Sequence, residues 1–233
     1  MNKNSSEIDL RAKLVQNLKQ EGILKSKAVQ EALLNVKREN FVWPGEEASA
    51  YIDEPLSLGE TGQTISAPHM VTIMLEEARL SPGMRILEIG TGSGYNAALI
   101  GYIVSKDCAQ IVSHPVITIE REERLVNFAR QNLKKSGLDN VVEVVWADGS
   151  LGYPQGSTHM IYDRIIVTAG APRIPVILEQ QLKADGILLV PVGPTPFQTL
   201  FKVRKVKSKA GHLEIQRENL MPVMFVPLLG KGV

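Results

Sequence analysis

Three acidic residues stand where a carboxylate could do chemistry. Glu88, Glu120 and Asp148 each follow a short run rich in β-branched or other apolar residues. Glu88 opens Glu88-Ile89-Gly90-Thr91-Gly92-Ser93-Gly94, after which a helical pattern begins. Glycines in such a loop let the backbone turn sharply and approach a ligand closely. A tight strand-to-helix turn without a ligand would use the same residues, so context must choose. Glu120, 32 positions after Glu88, could accept hydrogen bonds from both hydroxyls of a ribose. Asp148 sits in Ala147-Asp148-Gly149, where a carboxylate could accept from an exocyclic adenine amine while a nearby amide meets a ring nitrogen. Each residue alone has a plainer role: Glu88 capping local amides, Glu120 preceding a solvated helix, Asp148 closing a turn. Together, at three successive strand ends, they converge on the carboxyl edge of a sheet, where open α/β folds bind ligands.

The loop also discriminates between nucleotides. A dinucleotide fingerprint would place a third glycine three residues after Gly92, and Tyr95 stands there. A phosphate-binding loop would need a Lys-Ser/Thr pair, which is missing. S-adenosylmethionine carries no phosphate but a cationic amine and a sulfonium, and Glu88 suits that charge directly or through water.

These residues need strands and helices to hold them. Short β-branched runs alternate with helical patterns from Met84 onward, as in a parallel sheet covered on both faces. Strands are predicted at Arg85–Ile89, Val116–Ile119, Val141–Trp146, Arg164–Val167 and Gly186–Val190. Helices are predicted at Asn96–Val104, Glu122–Lys135 and Ile174–Leu182. Leu200–Val206, Leu213–Gln216 and Val223–Leu228 read as antiparallel strands closing one edge. The predicted fold is α/β, a doubly wound, mostly parallel, Rossmann-like sheet with antiparallel C-terminal edge strands. Upstream lie helical patterns at Ile8–Gln20, Ser26–Val36 with Ser26 as N-cap, and Pro68–Leu80. Asn40–Thr64 reads as an ordered loop region, and Ser105–Pro115 as a surface loop. The chain is expected to form one domain over residues 1–233, with 1–80 a helical and substrate-loop extension and 81–233 the donor-binding core.

A formal net charge of +1 gives no electrostatic case for nucleic acid as the main partner. One cysteine, Cys108, permits no intramolecular disulfide and fits a reducing compartment. Met1 to Leu10 is polar, and no apolar run approaches the length of a bilayer span. A soluble, cytoplasmic protein without membrane partners is expected. No zinc spacing is recognisable among one Cys and four His, so no metal is expected. Oligomeric state is left open.

A further set of segments carries a resemblance. Gly62-Gln63-Thr64-Ile65-Ser66-Ala67-Pro68-His69-Met70 is similar to the stretch that identifies the protein-L-isoaspartate O-methyltransferases, a class I methyltransferase family. Arg38-Glu39-Asn40-Phe41-Val42, Ala50-Tyr51-Ile52-Asp53, Tyr162 to Ala169, Pro191-Val192-Gly193 and Phe225-Val226-Pro227-Leu228 also match. The resemblance runs from about the first helix to Leu228. Lys37 stands where Pro is common and Thr72 where Ala is common, and the tail after Leu228 is short. After the fourth strand comes Thr168-Ala169-Gly170-Ala171-Pro172, not the Asp/Asn-Pro-Pro-aromatic run usual in enzymes that methylate adenine or glutamine.

The resemblance implies methyl transfer from S-adenosylmethionine, leaving S-adenosylhomocysteine, to the free α-carboxyl of L-isoaspartyl residues in damaged proteins and peptides. The ester can then close to a succinimide without the enzyme, and hydrolysis returns some normal aspartate. Such an acceptor is already an anion at neutral pH, so alignment and water exclusion should dominate catalysis. Ser66 is the candidate to orient the acceptor, although it could equally cap the helix near Pro68. His69 is a candidate pocket wall, with a purely structural role as its alternative. Gln63, Thr64 and Ile65 are expected near the donor's methionine end, and Gly90, Gly92, Ser93 and Gly149 among the residues that bind the donor. Val226 would offer main-chain hydrogen bonds to an extended peptide. Other class I methyltransferases, a nicotinamide-dependent oxidoreductase and a non-catalytic donor-binding module are the rival readings.

Overall fold

The computed structural model describes residues 3–107, 114–208 and 210–233, with side chains from position 10 onward. Cys108 and most of the expected Ser105–Pro115 loop lie outside the described residues.

Apolar runs buried on both faces build the centre of the sheet. Strands β1 (Leu56–Ser57) and β2 (Thr64–Ile65) form a small antiparallel pair of their own. The main sheet contains β3 (Ile86–Ile89), β4 (Val116–Glu120), β5 (Val142–Trp146), β6 (Tyr162–Val167), β7 (Leu182–Val192), β8 (Gln198–Lys207) and β9 (Leu213–Val223). Their order is β5-β4-β3-β6-β7-β8-β9. The first five are mutually parallel, while β8 and β9 add antiparallel pairs at the edge. Successive side chains point to opposite faces. Ile86, Val116, Ile166 and Leu189 therefore join one core, and Leu87, Ile117, Ile165 and Leu188 the other.

The helices are α1 (Lys3–Gln20), α2 (Lys27–Asn35), α3 (Pro68–Ala78), α4 (Tyr95–Ser105), α5 (Glu123–Lys135) and α6 (Val176–Gln181). Helices α1 to α5 supply the first core, and α6 packs on the second. Ser26 caps α2 as expected, accepting the Val29 amide at 3.3 Å. Val29, Ala32, Leu33 and Val36 are all buried, but Leu10 on α1 is exposed. Arg79 ends α3 in the left-handed region, so that helix stops before Leu80.

One expected strand is absent. Strand β9 continues to Val223, and Val223–Leu228 forms no antiparallel strand. Beyond β9 the chain leaves the sheet edge and returns beside Gly170, making one isolated parallel bridge there through Pro227. Pro222 is accommodated within the edge strand β9, opposite Thr199, while Pro227 lacks the amide that a continued ladder would need.

The chain turns outward on either side of β3: β4 and β5 lie one way, β6 and β7 the other. The β3 and β6 carboxyl ends therefore meet at a topological switch point, the usual place for a ligand crevice.

Candidate active site

Gly90 follows β3 directly at that switch point. Its φ is +97°, and a Cβ there would stand 2.3 Å from Thr168 Oγ1. Only glycine meets both demands. Thr168, just after β6, ties the two strand ends together: its hydroxyl donates to the carbonyls of Gly90 at 2.6 Å and Ile89 at 3.0 Å.

A cavity of about 410 Å³ opens above this junction. Its walls include Gln63, Thr64, Ile65 and Ser66 from the β2–α3 segment, Gly90 to Ser93 from the loop, Glu120, Gly149, and Val226 to Leu229. The size suits a small-molecule site. Segments far apart in sequence thus share one enclosure.

Glu120 ends β4 and is nearly buried. Its Oε2 accepts the Gly92 amide at 3.0 Å, and its Oε1 accepts the amides of Arg121 at 2.8 Å and Glu122 at 3.0 Å. An ionised carboxylate has about four acceptor directions. Roughly one remains for a ligand hydroxyl, fewer than the two that direct bonds to both ribose hydroxyls would use.

Glu88 is fully buried and does not line the cavity. Parallel register sets Glu88 beside Thr118 on the face that α4 covers. Oε2 accepts the Thr118 hydroxyl at 2.5 Å, and Oε1 accepts Asn96 Nδ2 at 2.7 Å. Burial pushes its pKa up to about 7, opposed by those two donors and reinforced by the charge of Glu120. Asn96 does reach the cavity, and its buried Oδ1 has no partner among the described residues. The carboxylate expected to meet the donor amine is thus held by the amide of a wall residue and is not itself exposed in the cavity.

Asp148 is also turned away from the main cavity. Its Oδ1 accepts the Ser150 amide at 3.0 Å and the Ser150 hydroxyl at 2.5 Å, and its Oδ2 accepts the Lys231 amide at 2.7 Å. Burial alone would raise its pKa, but Ser150 and the Lys231 amide outweigh burial and hold it below the ordinary value. It lines a smaller neighbouring cleft with Arg121, Trp146 and Gly230.

Ser66 lies in the wall, and its carbonyl accepts Arg38 Nη2 at 3.0 Å. It does not cap α3. Ala67 is the N-cap residue, and the Asp53 carboxylate accepts the His69 amide at 2.8 Å in place of a local cap. The Ser66 hydroxyl has no partner among the described residues, which leaves it for a ligand. His69 does not line the cavity; its Nδ1 sits 3.0 Å from Asp53 Oδ1 at a half-exposed position. Val226 lines the wall, yet its carbonyl already accepts the Gly170 amide at 2.8 Å, so its own amide is the group it could offer a peptide.

Sequence reasoning gave no role to Asn96, Thr118, Arg38 or Gln198. Gln198 grips Phe225 through both backbone groups, accepting its amide at 2.7 Å and donating to its carbonyl at 3.1 Å, and so fixes the segment beside Val226. The bonds that place these residues at the site join positions 8 to 30 apart, and no local spacing reveals them. Among the described residues, no group of three or more His, Cys, Asp or Glu side chains is placed to hold a metal ion, and no helix is long and apolar enough to cross a membrane.

Comparison with known proteins converges on one family. The family model described as Protein-L-isoaspartate(D-aspartate) O-methyltransferase (PCMT) matches residues 9–232. A protein-L-isoaspartate O-methyltransferase of Thermococcus sibiricus is 48% identical over 220 residues, covering 94% of this chain and 93% of the relative. The Pyrococcus horikoshii protein of the same name is 49% identical over 218 residues, covering 93% and 91%. A Plasmodium falciparum protein of this kind, solved in complex with S-adenosyl-L-homocysteine, superposes with a TM-score of 0.77 at 30% identity, covering 93% of this chain and 97% of that one.

Proposed function

This chain belongs to the protein-L-isoaspartate(D-aspartate) O-methyltransferase family, and from that premise we propose how its residues serve the reaction. It is a repair enzyme that methylates the free α-carboxyl of L-isoaspartyl residues, with S-adenosylmethionine as donor. The observation that carries the assignment of roles is the single cavity shared by the Gly90–Ser93 loop, Glu120 and the Gln63–Ser66 segment.

The donor brings a methyl group already activated by its sulfonium. The residues fit such a group: Glu120 has about one open acceptor direction for a ribose hydroxyl, and Asn96 Oδ1 is a buried acceptor suited to a cationic amine. Buried Glu88 adds negative charge behind Asn96. Gly90, Gly92 and Ser93 let the backbone approach the donor, and Gly149 borders the nucleoside side. Gln63, Thr64 and Ile65 line the methionine side. Asp148 serves the nucleoside side indirectly, by anchoring the tail that carries Leu229 into the wall.

The acceptor is ionised at neutral pH, so no residue has to remove a proton. Ser66 donates a hydrogen bond to one carboxylate oxygen and fixes the direction of the other. Ile65, Val71, Met74 and Leu228 make that part of the enclosure apolar and limit water. Holding two reactants in line is worth roughly 7–11 kcal/mol of barrier. Val226 offers its amide to the peptide main chain, and His69, paired with Asp53, braces α3 from outside the cavity. Residues 1–80 act as the extension that carries the substrate wall, and residues 81–233 as the donor core. A reducing, cytoplasmic location suits the single Cys108.

Methyl transfer from labelled donor to an isoaspartyl peptide, against the same peptide with normal aspartate, tests the assignment. Label is expected on the isoaspartyl peptide alone; equal labelling of both, or of neither by folded, donor-bound protein, overturns it.

A further inference from the structure

Arg38 lies in a 3-10 turn, Arg38–Asn40, between α2 and the Asn40–Thr64 region, and it has no exposed surface. Its Nη2 donates to the Ser66 carbonyl, and its guanidinium carbon stands 5.0 Å from the centre of the Tyr95 ring. Ser66 and Tyr95 both line the reaction cavity, so the cation lies directly behind that wall. Its Nε and Nη1 are buried and meet no hydrogen-bond partner among the described residues. Burial opposes its charge, and Tyr95, Asp53 and Tyr51 favour it only through space. A guanidinium nevertheless stays protonated in proteins.

A buried cation without a contacting counter-ion is costly. Holding one carbonyl does not require it, since a neutral amide can donate the same bond. The charge instead makes sense toward an anion across the wall, and the anion that belongs there is the substrate's α-carboxylate; this step rests on the reaction proposed above. We propose that Arg38 is a positioning residue whose field draws the isoaspartyl carboxylate to the Ser66 wall and selects the free acid over a neutral group of the same shape. It touches no substrate atom and acts through Ser66 and Tyr95.

The chemistry gives this role an unusual kinetic signature. Esterification removes the carboxylate's charge, and the transition state has already lost part of it. A nearby cation therefore stabilises the bound reactant more than the transition state. Arg38 should lower KM without raising kcat, whereas loss of a merely structural residue would lower the active fraction and with it kcat.

The test uses the full chain saturated with S-adenosylhomocysteine, whose neutral sulfur cannot itself favour an anion. An isoaspartyl peptide and its α-carboxamide are titrated into wild type, Arg38→Gln and Arg38→Lys by calorimetry. Wild type is expected to bind the acid roughly tenfold or more tightly than the amide, the scale of one charge pair in a partly buried path. Arg38→Gln should lose most of that preference while its affinity for S-adenosylhomocysteine holds, and Arg38→Lys should keep part of it. In turnover, Arg38→Gln should raise peptide KM with kcat unchanged or higher. An Arg38→Gln protein that keeps the preference, or that loses kcat at constant KM, overturns the proposal. So does a wild type that binds acid and amide alike, whether or not either variant folds. If neither variant folds, salt decides: a preference that persists at about 1 M salt supports a buried charge, and one that vanishes assigns it to exposed groups such as Arg121 and overturns the proposal. Wild type that fails to methylate the isoaspartyl peptide at all would overturn the reaction itself, a result distinct from any of these.

Discussion

Glu120 holds the glycine loop by its carboxylate: Oε2 takes the Gly92 amide at 3.0 Å, while Oε1 takes the two amides that follow β4. One side chain thus fixes two walls of the donor cavity and keeps about one acceptor direction open. Glu120→Ala removes the ligand bond and frees three amides. Hydrogen bonds to a charged group are worth about 1.5–3 kcal/mol, so donor affinity should fall at least tenfold. Calorimetric titration with S-adenosylhomocysteine checks this, and an unchanged Kd would remove Glu120 from the site.

Ser66→Ala should lower kcat/KM for an isoaspartyl peptide roughly ten- to a hundredfold, the value of one hydrogen bond to a carboxylate. Its melting temperature should hold, because Asp53 rather than Ser66 caps α3. Loss of stability with kcat intact would give Ser66 a structural role only.

Glu88 makes stability and donor binding depend on pH. Its pKa is raised from 4.5 to about 7 in the folded protein. Between those values the native state holds a proton that the unfolded chain has released, so stability of the donor-free protein falls as pH rises across the window. The full penalty, present above pH 7, is on the order of 3 kcal/mol. Glu88→Gln should flatten that part of the profile relative to wild type in urea unfolding. A cationic donor favours ionised Glu88, so binding near pH 6.5 should release a proton in wild type and not in Glu88→Gln. Titrations in buffers of different ionisation enthalpy measure it, and equal proton release by both proteins would argue against the coupling.

The C-terminal tail should govern how long the donor stays. A Cβ on Gly230 would stand 2.2 Å from both Asp148 Oδ1 and Ser150 Oγ. Gly230→Val should therefore detach the Lys231 amide from Asp148 and loosen the Leu228–Leu229 wall. Hydrogen exchange at Lys231 should quicken and S-adenosylhomocysteine should dissociate several-fold faster. Unaltered exchange would show that the tail accommodates the side chain.

Asp53→Ala leaves the His69 amide without its acceptor and should destabilise the protein by about 1 kcal/mol, the usual cost of a lost helix cap. Asp53→Asn retains a capping oxygen and should restore most of the loss in thermal unfolding. If Asp53→Ala is as stable as wild type, the capping bond carries little weight.

Much of the fold was legible because it rests on short-range periodicity. Short β-branched runs placed β3 to β7 within a few residues, and Ser26 before Val29 marked the start of α2. The glycine loop was legible for a local reason too, since Gly90 and its neighbours are adjacent in the chain. Val223–Leu228 misled because an apolar run looks extended whether it pairs along an edge or crosses to Gly170. Ser66 looked like a cap because local spacing allows it, while the actual cap came from Asp53, 16 positions before the His69 amide it accepts.

The residue types alone determined that an α/β sheet carries acidic strand ends beside a glycine loop and a Thr64–His69 segment. Only the tertiary structure decided where those carboxylates point. Parallel register set Glu88 against Thr118 and beneath α4, Asp148 turned to a tail 83 positions away, and Arg38 came to rest behind Ser66. The cause is that backbone periodicity is set by near neighbours, whereas the direction and charge state of a buried polar side chain depend on whichever distant groups the packed core brings to it.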